Sequence, residues 1–245
     1  MRCWWVAVFF GCTGEVPEDV PAEDPAELSD ETGNTDAERV TVTGQLLGRT
    51  TDKPVVGTVR AIDGSWSVET DETGLFSLEL SPGRQFVVTE GTTESAYLDC
   101  AQAIHVDASN PEPLVLWAFN RPPVEKVLGG LSYNLDPKAG QVSVRFSPDV
   151  VVGGEAALVE GPHEEVFYFP DDDPKPLLQN YLPNNPTGYD LVFLNVTPGR
   201  VPVRVEGRED YTTCALAHPF ETVPVEPGGI TILEAVCEPV GGEDR

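Results

Sequence analysis

The chain is 245 residues long and 40% hydrophobic, enough for one large core or two modest ones once a tail is set aside. Its 23 prolines and 23 glycines against a single methionine favour strands and turns over long helices. Fifteen Lys and Arg against 41 Asp and Glu leave a formal charge of −26, which repels phosphate backbones and excludes nucleic acid as a partner.

Residues 1–11 carry one positive side chain, Arg2, and then an apolar run from Cys3 to Phe10. That run is too short to cross a bilayer, which takes about 20 residues, and has the length of a signal-peptide core. It closes on Gly11-Cys12, and acidic, proline-rich sequence begins three residues later. The junction resembles the lipobox of bacterial lipoproteins, which implies that Cys12 is acylated and becomes the new N-terminus. Phe9 stands where leucine is usual, and a short plain secretory signal is the other reading of the same residues. Residues 12–38 hold no Lys or Arg and space Pro17, Pro21 and Pro25 with acids, so they predict a disordered acidic tether.

From Arg39 the chain turns to short alternating runs punctuated by Gly, Pro and Asp. Val40 to Leu46 and Gly57 to Ile62 alternate with period two and predict half-buried strands. Ser67 to Thr70 leads into Asp71-Glu72-Thr73-Gly74 and out through Leu75 to Leu80, which predicts a hairpin. There Asp71 can accept from its own backbone and Gly74 can take positive φ.

Leu75 to Arg84 aligns without a gap on Leu191 to Arg200. Each copy is a strand that ends in Ser/Thr-Pro-Gly-Arg and restarts, at Phe86 in one and Val201 in the other. Proline at the first inner corner fixes φ and glycine at the second permits the positive φ of a type II turn. A fainter echo pairs Gly57 to Ala61 with Gly140 to Val144. The repeat predicts an all-β protein of two tandem β-sandwich domains, residues 39–121 and 122–240. The boundary falls at Arg121-Pro122-Pro123, where the chain turns rigid and polar.

Residues 40–119 resemble a carboxypeptidase regulatory-like domain, a transthyretin-like sandwich of about seven strands. The matching features are Gly44-Gln45-Leu46, Pro54 to Val59, Thr70-Asp71-Glu72-Thr73-Gly74-Leu75-Phe76 and Leu80-Ser81-Pro82-Gly83. Residues 124–237 keep the strand and Pro-Gly turn, lack the Thr-Asp hairpin, and carry an insertion over 160–187. The resemblance implies two tandem transthyretin/Ig-like β-sandwich domains of the kind that serve as non-catalytic spacers, adhesion modules or carbohydrate-proximal modules of exported proteins.

Of the five cysteines, Cys3 leaves with the signal and Cys12 is claimed by lipid. In an oxidising compartment Cys214 and Cys237 are the natural pair, and Cys100, beside Tyr97 and Leu98, is then a buried small hydrophobe. His218-Pro219-Phe220-Glu221 has the spacing with which metallocarboxypeptidases hold zinc, but no further His follows it, so it is read as chance. His105 and His163 fall in separate domains and no nucleophile elbow exists, so no catalytic residue, metal or cofactor is assigned. Asp171, Asp172 and Asp173 could ligate calcium but lack the alternating spacing of dedicated loops, which favours a solvated acidic loop. Tyr168, Tyr181 and Tyr189, in or beside the same insertion, are either an aromatic contact surface or caps on the core. Asn195-Val196-Thr197 is a sequon read as structural.

The expectation is a non-enzymatic cell-envelope lipoprotein, exported, lipid-anchored and periplasmic or outer-membrane-facing, whose second domain contacts an envelope protein or polysaccharide. The alternative is a carbohydrate or small-molecule binding module of an export or uptake system, which needs exposed aromatics beside polar groups in a concave patch.

Overall fold

The structure is a computed structural model and describes residues 39–240 apart from 50, 93–96, 110–111, 131, 148–149 and 171–176. The expected signal, the tether with Cys12, and Asp171 to Asp173 lie outside the described residues. The first half contributes β1 (Val40–Gly48), β2 (Gly57–Ala61), β3 (Ser67–Glu69), β4 (Leu75–Leu80), β5 (Gly83–Gly91), β6 (Tyr97–Leu98), β7 (Cys100–Val106) and β8 (Leu114–Asn120). Helix α1 (Arg121–Gly130) follows. The second half contributes β9 (Gly140–Phe146), β10 (Ala156–Val159), β11 (Glu165–Phe169), β12 (Leu177–Leu178), β13 (Asp190–Val196), β14 (Gly199–Val201), β15 (Val203–Glu206), β16 (Thr212–Leu216), β17 (Val223–Val225) and β18 (Ile230–Pro239).

Alternation builds the first sandwich as expected. Along β4 the side chains of Phe76, Leu78 and Leu80 are buried while Leu75, Ser77 and Glu79 face out, as a period-two strand with one dry face requires. One sheet runs β4-β1-β8-β6, and facing it runs β3-β2-β5-β7. Between them lie Val42, Leu46, Phe76, Leu78, Leu80 and Leu116 from one sheet and Val59, Val87 and Ile104 from the other.

The Asp71–Gly74 turn forms with the expected chemistry. Asp71 Oδ1 accepts from the Thr73 and Leu75 amides at 2.8 and 3.0 Å, and Gly74 sits at φ +74°. The predicted hairpin does not form, however, because β3 pairs with β2 and β4 pairs with β1. The turn carries the chain from one sheet across to the other. Buried Thr70, immediately before the turn, fixes that crossing: its hydroxyl donates to the Val55 carbonyl and accepts from the Gly57 amide.

The sequence repeat has a topological counterpart. In the first half β1 lies between β4, antiparallel, and β8, parallel. In the second, β9 lies between β13, antiparallel, and β18, parallel. The two aligned Pro-Gly turns leave equivalent strands, β4 and β13, and both glycines take positive φ, Gly83 at +112° and Gly199 at +139°. The second core joins Val142, Phe146, Tyr168, Phe193 and Leu233 to Ala157, Val203 and Val223 of the small β10-β15 and β14-β17 sheets.

The two sandwiches are fused through a common sheet. Ile230 to Ile232 of β18 pair in parallel with Cys100 to Gln102 of β7 on one side and with Gln141 to Ser143 of β9 on the other. A sheet therefore runs unbroken as β12-β11-β13-β9-β18-β7-β5-β2-β3. At the expected boundary the chain is helical: Pro122 and Pro123 fall in the first turn of α1, where their missing N–H groups cost no helix bond. Val124 and Leu128, four apart, turn down onto the sheet.

Candidate functional site

The insertion is partly scaffold. Its strand β11 pairs with β13 inside the long sheet, and Tyr168 on β11 is 1% exposed. The Tyr168 hydroxyl accepts from the amides of Thr187 and Gly188 at 3.1 and 2.9 Å, holding the returning loop to the core. Tyr168 therefore belongs to the core and not to a contact surface, and Tyr189 is half-buried against the same core. Of the three tyrosines Tyr181, 48% exposed, is the most open. It bridges to Ala156, while Leu177 and Leu178 stand exposed on the edge strand β12.

Cys214 and Cys237 are disulfide-bonded, facing each other across β16 and β18 with Cα atoms 4.1 Å apart. Cys100 is a fully buried free thiol whose sulfur lies 3.4 Å from the Leu98 carbonyl. Burial pushes its pKa up to about 12, which leaves it a packing group rather than a nucleophile.

The structure brings together two histidines that the sequence placed in different halves. Strands β7 and β16 meet the same side of β18, β7 at Ile230 to Ile232 and β16 from Ala235 onward, and they part at Leu233 and Glu234. The opening is a cleft of about 220 Å³ lined by Gln102, His105, Trp117, His218 and Glu234 among others. The rings of His105 and His218 stack with centroids 6.4 Å apart. Burial holds the His218 pKa below the usual imidazole value, Glu234 opposing it and His105 and Arg84 adding to it. His163 lies elsewhere, its ring edge-on to Phe193. Among the described residues no group of three His, Cys, Asp or Glu side chains is arranged to hold a metal ion.

A second concavity, about 330 Å³, lies under α1. Its floor is the outer face of the shared sheet: Gln141, Ser143 and Arg145 of β9, Asp190, Val192 and Leu194 of β13, and Ile230 of β18. Val124 and Leu128 roof it, and Leu98 and Phe119 of the first half close one side. At one end, Arg49 and Arg145 face a single carboxylate, Asp190, at 4.0 and 3.8 Å. The Arg49 guanidinium is also stacked 5.1 Å from the centre of the Trp117 ring.

No family model matches the chain, and no curated protein matches it. Among solved structures, the Bacillus anthracis TIE protein aligns over 81% of this chain at 14% identity with a TM-score of 0.27. A streptococcal ancillary pilin aligns over 83% at 10% identity and 0.24, and the minor pilin GBS52 of Streptococcus agalactiae over 84% at 12% and 0.28. The chain spans 34%, 64% and 98% of those three proteins respectively. The sandwich architecture rests on the strand order described above.

Proposed function

We propose that the protein is exported, held at a bacterial envelope by an acyl group on Cys12, and acts without catalysis by presenting its two sandwiches to an envelope protein or polysaccharide. The observation that carries this reading is the Cys214–Cys237 disulfide, since such bonds persist in oxidising compartments outside the cytosol. The apolar run ending at Gly11-Cys12 and the acidic stretch after it agree with that destination. The resemblance of residues 40–119 to carboxypeptidase regulatory-like domains agrees with a display role. For the contact face we assign Leu177 and Leu178, exposed on the terminal strand β12 of the long sheet, and Tyr181, exposed nearby in sequence where it bridges to Ala156 of β10, because a short end strand with bare apolar groups is a ready docking surface.

Two measurements test this. In a lipoprotein-processing bacterial host, labelled palmitate is expected to mark the wild type and not Cys12→Ala, which leaves the membrane fraction; equal labelling of both refutes the anchor. Crosslinking on intact cells is expected to join the wild type to an envelope component and to lose that product in Leu178→Glu/Tyr181→Ala. An undiminished product, or hydrolysis of peptide or glycoside substrates by the wild type, refutes the display role.

A further inference from the structure

We infer that the cavity beneath α1 is a binding site for a straight-chain carboxylic acid, its carboxylate held between Arg49 and Arg145 and its acyl chain laid along β9 under the helix. The volume, about 330 Å³, falls in the range of small-ligand sites. Alternation along β9 shapes it: Val142, Val144 and Phe146 fill the second core, so Gln141, Ser143 and Arg145 point to the opposite face and form the floor. From Arg145 to Gln141 the floor runs about 13 Å at the rise of an extended strand. Apolar side chains flank that track, from Phe169 and Val192 to Leu128, Leu135 and Leu194, while Ser143 and Gln141 on the track itself are polar and uncharged.

The charges in this lining are confined to one end. They are Arg49, Arg145 and Asp190, two guanidiniums against one carboxylate within the lining, with Glu234, the register neighbour of Arg145 on β18, outside it. A ligand that matches needs one negative head and an uncharged linear body. A second charged end would meet only the neutral side chains of Ser143, Gln141, Leu128 and Leu194, so a dicarboxylate fits poorly. Guanidinium groups recognise carboxylates in paired, charge-assisted hydrogen bonds. Trp117, stacked against Arg49, keeps that guanidinium at the mouth. The negative charge of the whole molecule does not favour anions, so selectivity here comes from these two side chains.

Calorimetric titration with decanoate, decanol and decyltrimethylammonium tests this on the full chain carrying Cys12→Ser, so that no attached acyl group competes. Decanoate is expected to bind, decanol at least tenfold more weakly, and decyltrimethylammonium not at all. Arg145→Gln is expected to weaken decanoate about tenfold. Asp190→Asn, which removes the competing carboxylate, is expected to tighten it, and a merely structural role for this trio does not move the two variants in opposite directions. Val192→Trp, which fills the trough, abolishes binding; where that variant does not fold, the opposed shifts of the other two decide. Absence of decanoate binding, equal binding of the cationic analogue, or shifts of the same sign in Arg145→Gln and Asp190→Asn overturns the inference.

Discussion

Gly44 shows how one residue decides whether three strands can meet. It lies in the central strand of the first sheet, opposite Phe76 of β4 and opposite Leu114 of β8. A Cβ there would stand 2.4 Å from Phe76 Cζ and 2.5 Å from the Leu114 carbonyl oxygen. Gly44→Ala must therefore push strands apart, and overpacking of this kind costs about 1–3 kcal/mol; a urea midpoint unchanged from the wild type would refute it. The sequence marks Gly44 only as part of an opening Gly-Gln-Leu, because the clash involves two distant strands. Cys100 was more legible: an odd thiol among Tyr97 and Leu98 reads as buried, and burial with the raised pKa predicts that it resists iodoacetamide in the native state and reacts on unfolding. Labelling of Cys100 in folded protein at pH 8 would contradict this. Tyr168 was not legible, since its ring fits a contact surface or a core cap equally until the strand face is known.

Among elements, strands with one dry face were readable and strands wet on neither face were not. β4 alternates cleanly, whereas β9 is buried at nearly every position because the core covers one side and α1 the other. Turn chemistry was readable and strand pairing was not, since Asp71 and Gly74 shape the bend locally while the partners of β3 and β4 are chosen by distant faces. The His105–His218 cleft has the same origin, for only β18 brings β7 and β16 end to end. The disulfide between β16 and β18 closes a separation of 23 residues, worth about 3 kcal/mol in the chain-entropy model. Cys214→Ser/Cys237→Ser is expected to lose about that much in denaturant titration, and an unchanged midpoint would count against it.

The cleft also gives the sign of a pH effect. The folded pKa of His218 lies below its unfolded value, chiefly through burial, so the unfolded chain binds the proton more readily. Its neutral form stabilises fully above about pH 6.5, and the contribution is lost as pH falls through the lower folded pKa. Arg84 and His105 disfavour a proton on His218 and Glu234 favours one, so Glu234→Gln should steepen the acid loss and His218→Gln should flatten it. Melting temperatures followed from pH 7.5 to 5 decide this; parallel curves for wild type and His218→Gln would dismiss it.

At the scale of the molecule, two copies of one sandwich were visible in the repeat, but their fusion was not, because nothing in the β18 sequence announces a third neighbour. The seam is more than a touch. β18 pairs with both β7 and β9, Phe86 of the first half packs 4.4 Å from Phe220 of the second, and Arg60 on β2 donates to Glu226 at 2.9 Å. Sharing central strands should make the halves unfold as one cooperative unit, unlike beads on a linker. Phe146, fully buried in the second core, provides the probe, and Phe146→Ala is expected to cost about 3–5 kcal/mol. The tryptophans among the described residues, Trp66 and Trp117, both lie in the first half. Trp117 also packs against Ile230 and Ile232 of the second half, so the reporter is protein carrying Trp4→Phe, Trp5→Phe and Trp117→Phe, in which the fluorescence of Trp66, packed on the first core, reports that half. If the sheet couples the halves, Phe146→Ala lowers the fluorescence midpoint as far as the midpoint of the far-ultraviolet dichroism, which reports the whole. If the fluorescence midpoint stays at its wild-type value while the dichroism splits into two steps, the sandwiches are independent and the shared strand is not a mechanical link.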